Sequence, residues 1–452
     1  SILVHIHILG ISGTFMGSLA ALAKESGFEV TGSDLHCYPP ISDQLDHLGI
    51  EVIPNYDPEQ LKLNPDLIVV GNVMSRGMPI IETMLNSNIP FTSGPQWLGE
   101  NILRDRTVIA VSGTHGKTTT SSLIAFILKD LGLDPGYLIG GVPIGFNTSA
   151  SIGSNSYFII EADEYDTAFF DKRSKFIHYH PNFLVLNNIE FDHADIFKDL
   201  DQILWQFHQL LRTLPSDTKI IANGEDKNIN KLFHQGVWSE RILFGQSEQF
   251  NWSANADTHG SIRLLHEKAT VAQINPQIIG DHNMMNILAA AATLSLVDID
   301  ESQMLESIER FPGVKRRLEF LGEFSGVQIY DDFAHHPTSI KASIHSLQAK
   351  FQESSVFTIT ELACNTMKKG ALKAELLDSF DEADFAWIIN DKDIKWDIEN
   401  QFASKKNVSI VNNHEALSEE LNGKVKPGDI ILIMTNRSSV PIREALIDIF
   451  DS

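Results

Sequence analysis

The stretch TVIAVSGTHGKTTTSSL, residues 107 to 123, constrains the fold more than any other part of the chain. Its first residues are almost continuously apolar and read as a strand buried on both faces, as in a parallel sheet covered by helices. A glycine turn follows, and then a helical pattern in which Ile124, Ile127, Leu128 and Leu131 recur before Gly132 ends it. Strand, glycine turn and amphipathic helix in that order aim backbone N–H groups and a helix N-terminus at an anion. The usual pattern G-x-x-x-x-G-K-S/T has a glycine where this chain has Val111. In the phosphate-binding reading Gly113, Thr114, His115, Gly116, Lys117, Thr118 and Thr119 line the phosphates. Lys117 neutralises the terminal ones, and the Thr118 hydroxyl binds Mg²⁺. The bland alternative is a turn with an N-cap, but the order of the elements favours the phosphate site.

Around this unit the same grammar repeats. LVHIHIL, a glycine turn, the helix pattern GSLAALAKESG and the strand FEVTGSD form a βαβ start, with further strands at DLIVVGN and IPFTS. After the phosphate loop come the apolar strands YFIIEA, FLVLNN and KIIANG, then less regular short strands and turns over 240 to 275, then the helix NMMNILAAAATLSL. Beyond Pro312 and Gly313, strands such as GVQIYDD, SVFTIT, FAWIIN, VSIVN and DIILIMT alternate with helices. A length of 452 residues suggests about three domains. The expected boundaries are 1–104, 105–313 and 314–452. The fold class expected is α/β: a Rossmann-like N-terminal domain, a P-loop-type central ATPase domain and a Rossmann-like C-terminal domain.

Carboxylates collect where such sheets put chemistry, at the C-terminal ends of buried strands. YFIIEADEYD delivers Glu161, Asp163, Glu164 and Asp166, while LVLNNIEFDHADIF delivers Asn187, Asn188, Glu190, Asp192, His193 and Asp195. Alone, the first is equally a solvated acidic loop; behind a phosphate loop it becomes a Mg²⁺ partner. His193, set among carboxylates, reads as a metal or phosphate residue, whereas His178 and His180 take the structural reading. At the N-terminus Gly10, Gly13 and Gly17 with Asp34 resemble a dinucleotide fingerprint, but the spacing departs from G-x-G-x-x-G. A nucleotide diphosphate on that helix N-terminus and glycines kept for close packing both remain open. Near the third boundary stand Arg316, Arg317, Asp331, Asp332, His335 and His336, as phosphoryl and ribose contacts or as surface charges.

Charge narrows the partners. With 59 acidic against 35 basic residues and a net charge of -24, the chain repels nucleic acid and anionic membrane surfaces. Its cysteines, Cys37 and Cys364, suggest neither a zinc site nor a disulfide framework. No apolar run approaches the roughly 18 residues of a membrane span, and SILVHIHILG has neither a cationic start nor a small-residue cleavage site, so a cytoplasmic location is expected.

Together, GSD, GTHGKTTT, EADE, NNIEFDH, GDHNMMN, VKRR and DDFAHHP occur in the order found in the Mur ligase family, which this chain resembles over nearly its whole length. The family's own loop is G-T-x-G-K-T-T, so Val111 is no defect. The resemblance implies ATP- and Mg²⁺-dependent amide formation in bacterial cell-wall precursor synthesis, through an acyl phosphate. It implies a UDP-sugar domain, a central ATPase domain and a domain that presents the amine. Carried over by position, Lys117, His193 and Arg317 are catalytic, while Thr118, Glu161 and His193 bind metal. His282, Asn283 and Asn286 lie near the adenine, Arg317, Asp332 and His335 close over ribose and phosphates, and Gly10, Gly13, Gly17 and Asp34 hold the UDP moiety.

GTFMGSLA, YPPIS, VVGNVMSRGMP, SGPQWL, DEYDTAFFDKRSKF and NTMKKG resemble the branch that joins the murein tripeptide L-alanyl-γ-D-glutamyl-meso-diaminopimelate to UDP-N-acetylmuramate in peptidoglycan recycling. The branch that adds L-alanine shares HHP and VKRR and is the nearer alternative. A non-catalytic UDP-sugar-binding protein is the more distant one. Two departures stand out: Ala363-Cys364 where Arg-Ser is expected before NTMK, and TNRSSVP after the last strand. Some family members carry a carbamylated lysine after the metal histidine; residues 196 to 212 hold only Lys198, so none is expected here.

Overall fold

The structure, a computed structural model, describes residues 3–37, 41–190, 197–362, 373–390 and 394–451. The chain divides into two compact units. One comprises Ser1–Asp257, Ser261–Asn275 and Met284–Phe311; the other comprises Thr258–Gly260, Pro276–Asn283 and Pro312–Ser452.

The first unit holds two large sheets. The N-terminal one orders its strands Val52–Ile53, Glu29–Ser33, His5–Leu9, Leu67–Val70 and Phe91–Ser93, all parallel. His5–Leu9 is central, and the helix Thr14–Glu25 that follows buries Met16, Leu19, Leu22 and Ala23 against the core. The larger sheet has ten strands, with Thr107–Ser112 between Phe183–Leu186 and Tyr157–Glu161. Val111 lies inside Thr107–Ser112 with no exposed surface, so the residue in the missing-glycine position belongs to the strand beneath the loop.

Residues 240 to 275 are more ordered than the sequence suggests. Glu240–Gly245 and Trp252–Ala256 extend the sheet in parallel, and Ile262–His266 and Ala269–Ile274 complete it antiparallel. These outer strands hide from a periodicity reading because a register shift falls between Leu264 and Leu265, and Ala269–Ile274 is mostly exposed.

The second unit contains one six-stranded sheet, in the order Glu319–Phe324, Val327–Asp332, Ile430–Met434, Val356–Glu361, Phe385–Ile389 and Val408–Val411. Only the first pairing is antiparallel. Apolar clusters fill both faces, one with Ile340, Ile344 and Phe380, the other with Trp387, Leu417 and Leu446. Each of these sheets carries helices as expected of doubly wound α/β folds. Among the described residues no helix is long and apolar enough to cross a membrane.

Candidate active site

The phosphate loop is shaped by two glycines. Gly113 and Gly116 have φ of 147° and 84°, and a Cβ on Gly116 would collide with Asn286 Oδ1. Gly116 occupies the N-cap of the helix Lys117–Asp130 in left-handed conformation, which other residues enter at a cost of about 1–2 kcal/mol. The loop is braced from below and beside. Thr120 Oγ1 donates to Asn286 Oδ1 at 3.1 Å, and Asn187 Nδ2 donates to Thr120 Oγ1 at 3.0 Å. The Thr114 N–H reaches the Asn188 carbonyl at 3.0 Å, and the His115 N–H reaches Asn188 Oδ1 at 2.8 Å. His115 Nε2 stands 3.1 Å from Glu190 Oε2.

Lys117 folds back over the loop and donates to the Gly113 carbonyl at 2.7 Å. Its ammonium lies 3.5 Å from Asp163 Oδ1 and 3.9 Å from Glu164 Oε2. Burial opposes that charge, but Asp163, Glu164 and Glu161 outweigh it and hold the ammonium above its ordinary value. Lys117 is therefore a cation at neutral pH, suited to a phosphate.

Glu161 pairs in register with Val111, so the sheet itself sets the carboxylate beside the loop. The Thr118 hydroxyl and the Gly140 N–H bond to it. Gly140 is needed for that approach, since a Cβ there would lie 2.8 Å from Glu161 Oε2. Oε1 of Glu161 is buried with no hydrogen-bond partner. Burial, then the charge of Asp163, pushes its carboxyl above the usual range. A buried acid with an unsatisfied oxygen beside a threonine hydroxyl offers the hard donors that Mg²⁺ takes. His193, Asp192 and Asp195 lie outside the described residues, as do Ala363 and Cys364. Among the described residues no group of three or more His, Cys, Asp or Glu side chains could by itself hold a metal.

At the N-terminal sheet, Gly10 has φ of 81°, Gly13 is the N-cap of Thr14–Glu25, and a Cβ on Gly17 would lie 3.2 Å from Ile41 Cγ2. Asp34 closes this turn. Its Oδ2 accepts the Ser12 N–H at 2.9 Å, and its Oδ1 accepts the Leu35 N–H at 2.8 Å and the Tyr56 hydroxyl at 3.0 Å. Burial and the Asp34 charge push the Tyr56 phenol well above its ordinary range. Tyr56 gave no sequence signal, because nothing in its spacing links it to the glycine turn 40 or more residues earlier.

In the second unit the two adjacent arginines separate. Arg316, at φ 62°, turns inward, with Nε 3.2 Å from buried Asp331 and Nη2 donating to the Thr435 carbonyl at 2.7 Å. Arg317 stays exposed. Leu318, also left-handed at φ 47°, gives its N–H to Asp332 Oδ2 at 2.8 Å, and the Ala334 N–H reaches Asp332 Oδ1 at 2.8 Å. Burial raises the Asp332 pKa against those hydrogen bonds and the Arg317 charge. His335 Nδ1 is 2.9 Å from the Phe333 carbonyl. Asn283 donates to the Ile279 carbonyl at 2.6 Å, and the His282 ring lies against Gly280. The helix Asp281–Leu294 begins in this unit with His282 and Asn283, whereas Asn286 belongs to the first unit, under the phosphate loop.

Three family models match in succession: "Mur ligase family, catalytic domain" over residues 5–106, "Mur ligase middle domain" over 111–294 and "Mur ligase, glutamate ligase domain" over 316–437. The chain is 44% identical over 453 residues, 98% of each sequence, to the UDP-N-acetylmuramate–L-alanyl-γ-D-glutamyl-meso-2,6-diaminoheptandioate ligase of Escherichia coli (strain K12). It is similar to the solved murein peptide ligase of Psychrobacter arcticus 273-4, at 37% identity and a TM-score of 0.71 over 99% of both chains. To the UDP-N-acetylmuramate–L-alanine ligase of Clostridium tetani it is 30% identical over 95% of this chain and 94% of that one.

Proposed function

This chain belongs to the Mur ligase family, and we propose that it joins L-alanyl-γ-D-glutamyl-meso-diaminopimelate to UDP-N-acetylmuramate, with ATP, in peptidoglycan recycling. The observation that carries the reading is full-length identity to a ligase named for that tripeptide, well above that to the L-alanine ligase. The intact set of Lys117, Thr118 and Glu161 speaks against a protein that only binds a UDP-sugar.

A carboxylate is a poor acyl donor and must be activated. Its oxygen attacks the γ-phosphorus of ATP, the bond to the ADP oxygen breaks, and an acyl phosphate forms. The amine then attacks the acyl carbon and phosphate leaves. In this proposal residues 1–104 hold the UDP-sugar through Gly10, Gly13, Gly17 and Asp34. Residues 105–313 hold ATP, with Gly113, Thr114, His115, Gly116, Lys117, Thr118 and Thr119 on the phosphates. Residues 314–452 present the amine and contribute Arg317, Asp332 and His335 to the nucleotide. His282, Asn283 and Asn286 serve the adenine end, and Asn286 also braces the loop.

Thr118 and Glu161 would hold Mg²⁺ together with His193; the orphaned, buried Oε1 of Glu161 is the feature that fits it. When bound, the metal neutralises phosphate charge. Lys117 lowers the repulsion between the incoming carboxylate and the terminal phosphates, and exclusion of water would protect the acyl phosphate. The proposed setting is the cytoplasm, where ATP and UDP-sugars are available.

The test is phosphate release with ATP, Mg²⁺ and UDP-N-acetylmuramate, offering the tripeptide or L-alanine. Turnover with the tripeptide is expected. Turnover only with L-alanine sinks the recycling assignment, and none with either favours a binding protein.

A further inference from the structure

After the acidic strand end, the chain forms a hairpin from Asp166–Ala168 and Asp171–Ser174 and then returns to its starting point. Its base is fixed by the Ser174 hydroxyl donating to the Glu164 carbonyl at 2.5 Å, the Ser174 N–H to Gln206 Oε1 at 3.1 Å, and the Lys175 N–H to the Tyr165 carbonyl at 2.9 Å. The tip packs against the N-terminal sheet of the same unit. Phe169 packs on the cluster of Leu9, Ile68 and Val70, and Phe170 meets Phe91 edge to face with centroids 5.2 Å apart. A segment tied at both ends holds its last side chain with little conformational freedom left to lose.

That side chain is Lys175. Its ammonium lies 4.5 Å from the centre of the Phe15 ring, on the first turn of the helix that opens from the Gly10–Gly13 turn. Other cations of the hairpin are committed, Lys172 to Asp166 at 3.1 Å and Arg173 to Asp171 at 2.9 Å. Among the described residues no carboxylate is hydrogen-bonded to Lys175, although the charges of Asp163 and Asp166 reach it. Burial lowers its pKa against the charges of those two carboxylates. Asp163 also lies 3.5 Å from Lys117, so both lysines act on one carboxylate.

The reaction has to bring a carboxylate to a phosphate at a strand end that already carries Glu161, Asp163, Glu164 and Asp166. Lys117 answers the phosphates. A second cation beside the incoming carboxylate would offset its repulsion from those acids, and Lys175 stands against Phe15, on the first turn of the helix after the glycine turn, within the field of Asp163 and Asp166. Building on the function proposed above, we propose that Lys175 binds the lactyl carboxylate of the UDP-sugar and holds it for attack on ATP.

The probe pair is UDP-N-acetylmuramate and UDP-N-acetylglucosamine, which differ by that lactyl group. Calorimetry with the full chain should give Lys175→Met a loss of about 10- to 100-fold in affinity for the first, as expected for a hydrogen bond to a charged group. Affinity for the second stays within about twofold, and the KM for ATP is unchanged. Lys175→Arg recovers part of the loss. Equal loss with both sugars, or no loss with either, overturns the proposal. If Lys175→Met does not fold, Lys175→Arg decides, since it must weaken the muramate more than the glucosamine. Wild-type turnover with the tripeptide but no selective loss rejects Lys175 alone. Selective loss in a protein inert towards every amine rejects the ligase reading and keeps Lys175.

Discussion

The molecule uses the same device twice in its first unit, a central strand running through glycines into a helix, and gives the two copies opposite charge. At residues 10–17 the turn is closed by a carboxylate, Asp34, which takes up the Ser12 N–H. At residues 113–118 it is closed by an ammonium, Lys117, lying over the Gly113 carbonyl. The first helix starts from an ordinary extended N-cap at Gly13, the second from a left-handed one at Gly116 packed on Asn286. The two turns thus differ both in backbone shape at the N-cap and in the side chain that closes them. The closing side chains offer opposite chemistry: an acceptor suits hydroxyl and N–H donors, and a cation suits phosphates.

The largest effect should come from Lys117→Ala, with turnover falling by about 10³-fold, as when a single preorganised charge-stabilising group is removed. UDP-sugar affinity measured by calorimetry should stay close to wild type. Comparable loss of both would end the separation of the two turns. Next is the pair Gly116→Ala and Gly10→Ala. Gly116→Ala strains φ and strikes the amide that braces the loop, so kcat should drop by about 10²-fold with misplaced phosphates. Gly10→Ala meets Val73 Cγ2 at 2.9 Å, but Val73 is 66% exposed and can move, leaving chiefly the left-handed cost of about 1–2 kcal/mol. Steady-state kinetics should then show a raised KM for the UDP-sugar with an unchanged KM for ATP. Asp34→Asn removes the charged acceptor and should raise the same KM by about 10-fold; an altered ATP KM would blur the contrast.

The smallest effect concerns the strand under the first turn. His7 Nδ1 is 2.6 Å from Thr31 Oγ1 and Nε2 is 2.7 Å from Gln60 Oε1. Burial lowers its pKa, with Gln60 opposing and His5 assisting. Because the folded value is depressed, this contribution to stability is present above the unfolded value of 6.5 and is lost as pH falls through the folded value. Thermal melts between about pH 7.5 and 5 should show a decline that His7→Asn makes shallower. Parallel declines would mean that His7 does not carry it.

What the sequence made legible follows from the same physics. The strands beneath both turns are buried on two faces, so they appear as apolar runs, and the glycines, Lys117 and Glu161 sit at fixed offsets from them. The bracing of the phosphate loop was not legible, because Thr120 and Asn286 lie 166 positions apart and meet only through the fold. Nor were the unequal roles of Arg316 and Arg317, which depend on left-handed backbone at 316 and 318. The outer strands of the central sheet escaped because one bears a register shift and the edge strand is mostly exposed.

Phosphorylation of the carboxylate of a sugar held at the first turn can be followed by labelling both lactyl carboxylate oxygens of UDP-N-acetylmuramate with ¹⁸O and analysing the phosphate released during ligation by mass spectrometry. Transfer of one labelled oxygen to each phosphate is the predicted result. Release of unlabelled phosphate alongside amide product would contradict it.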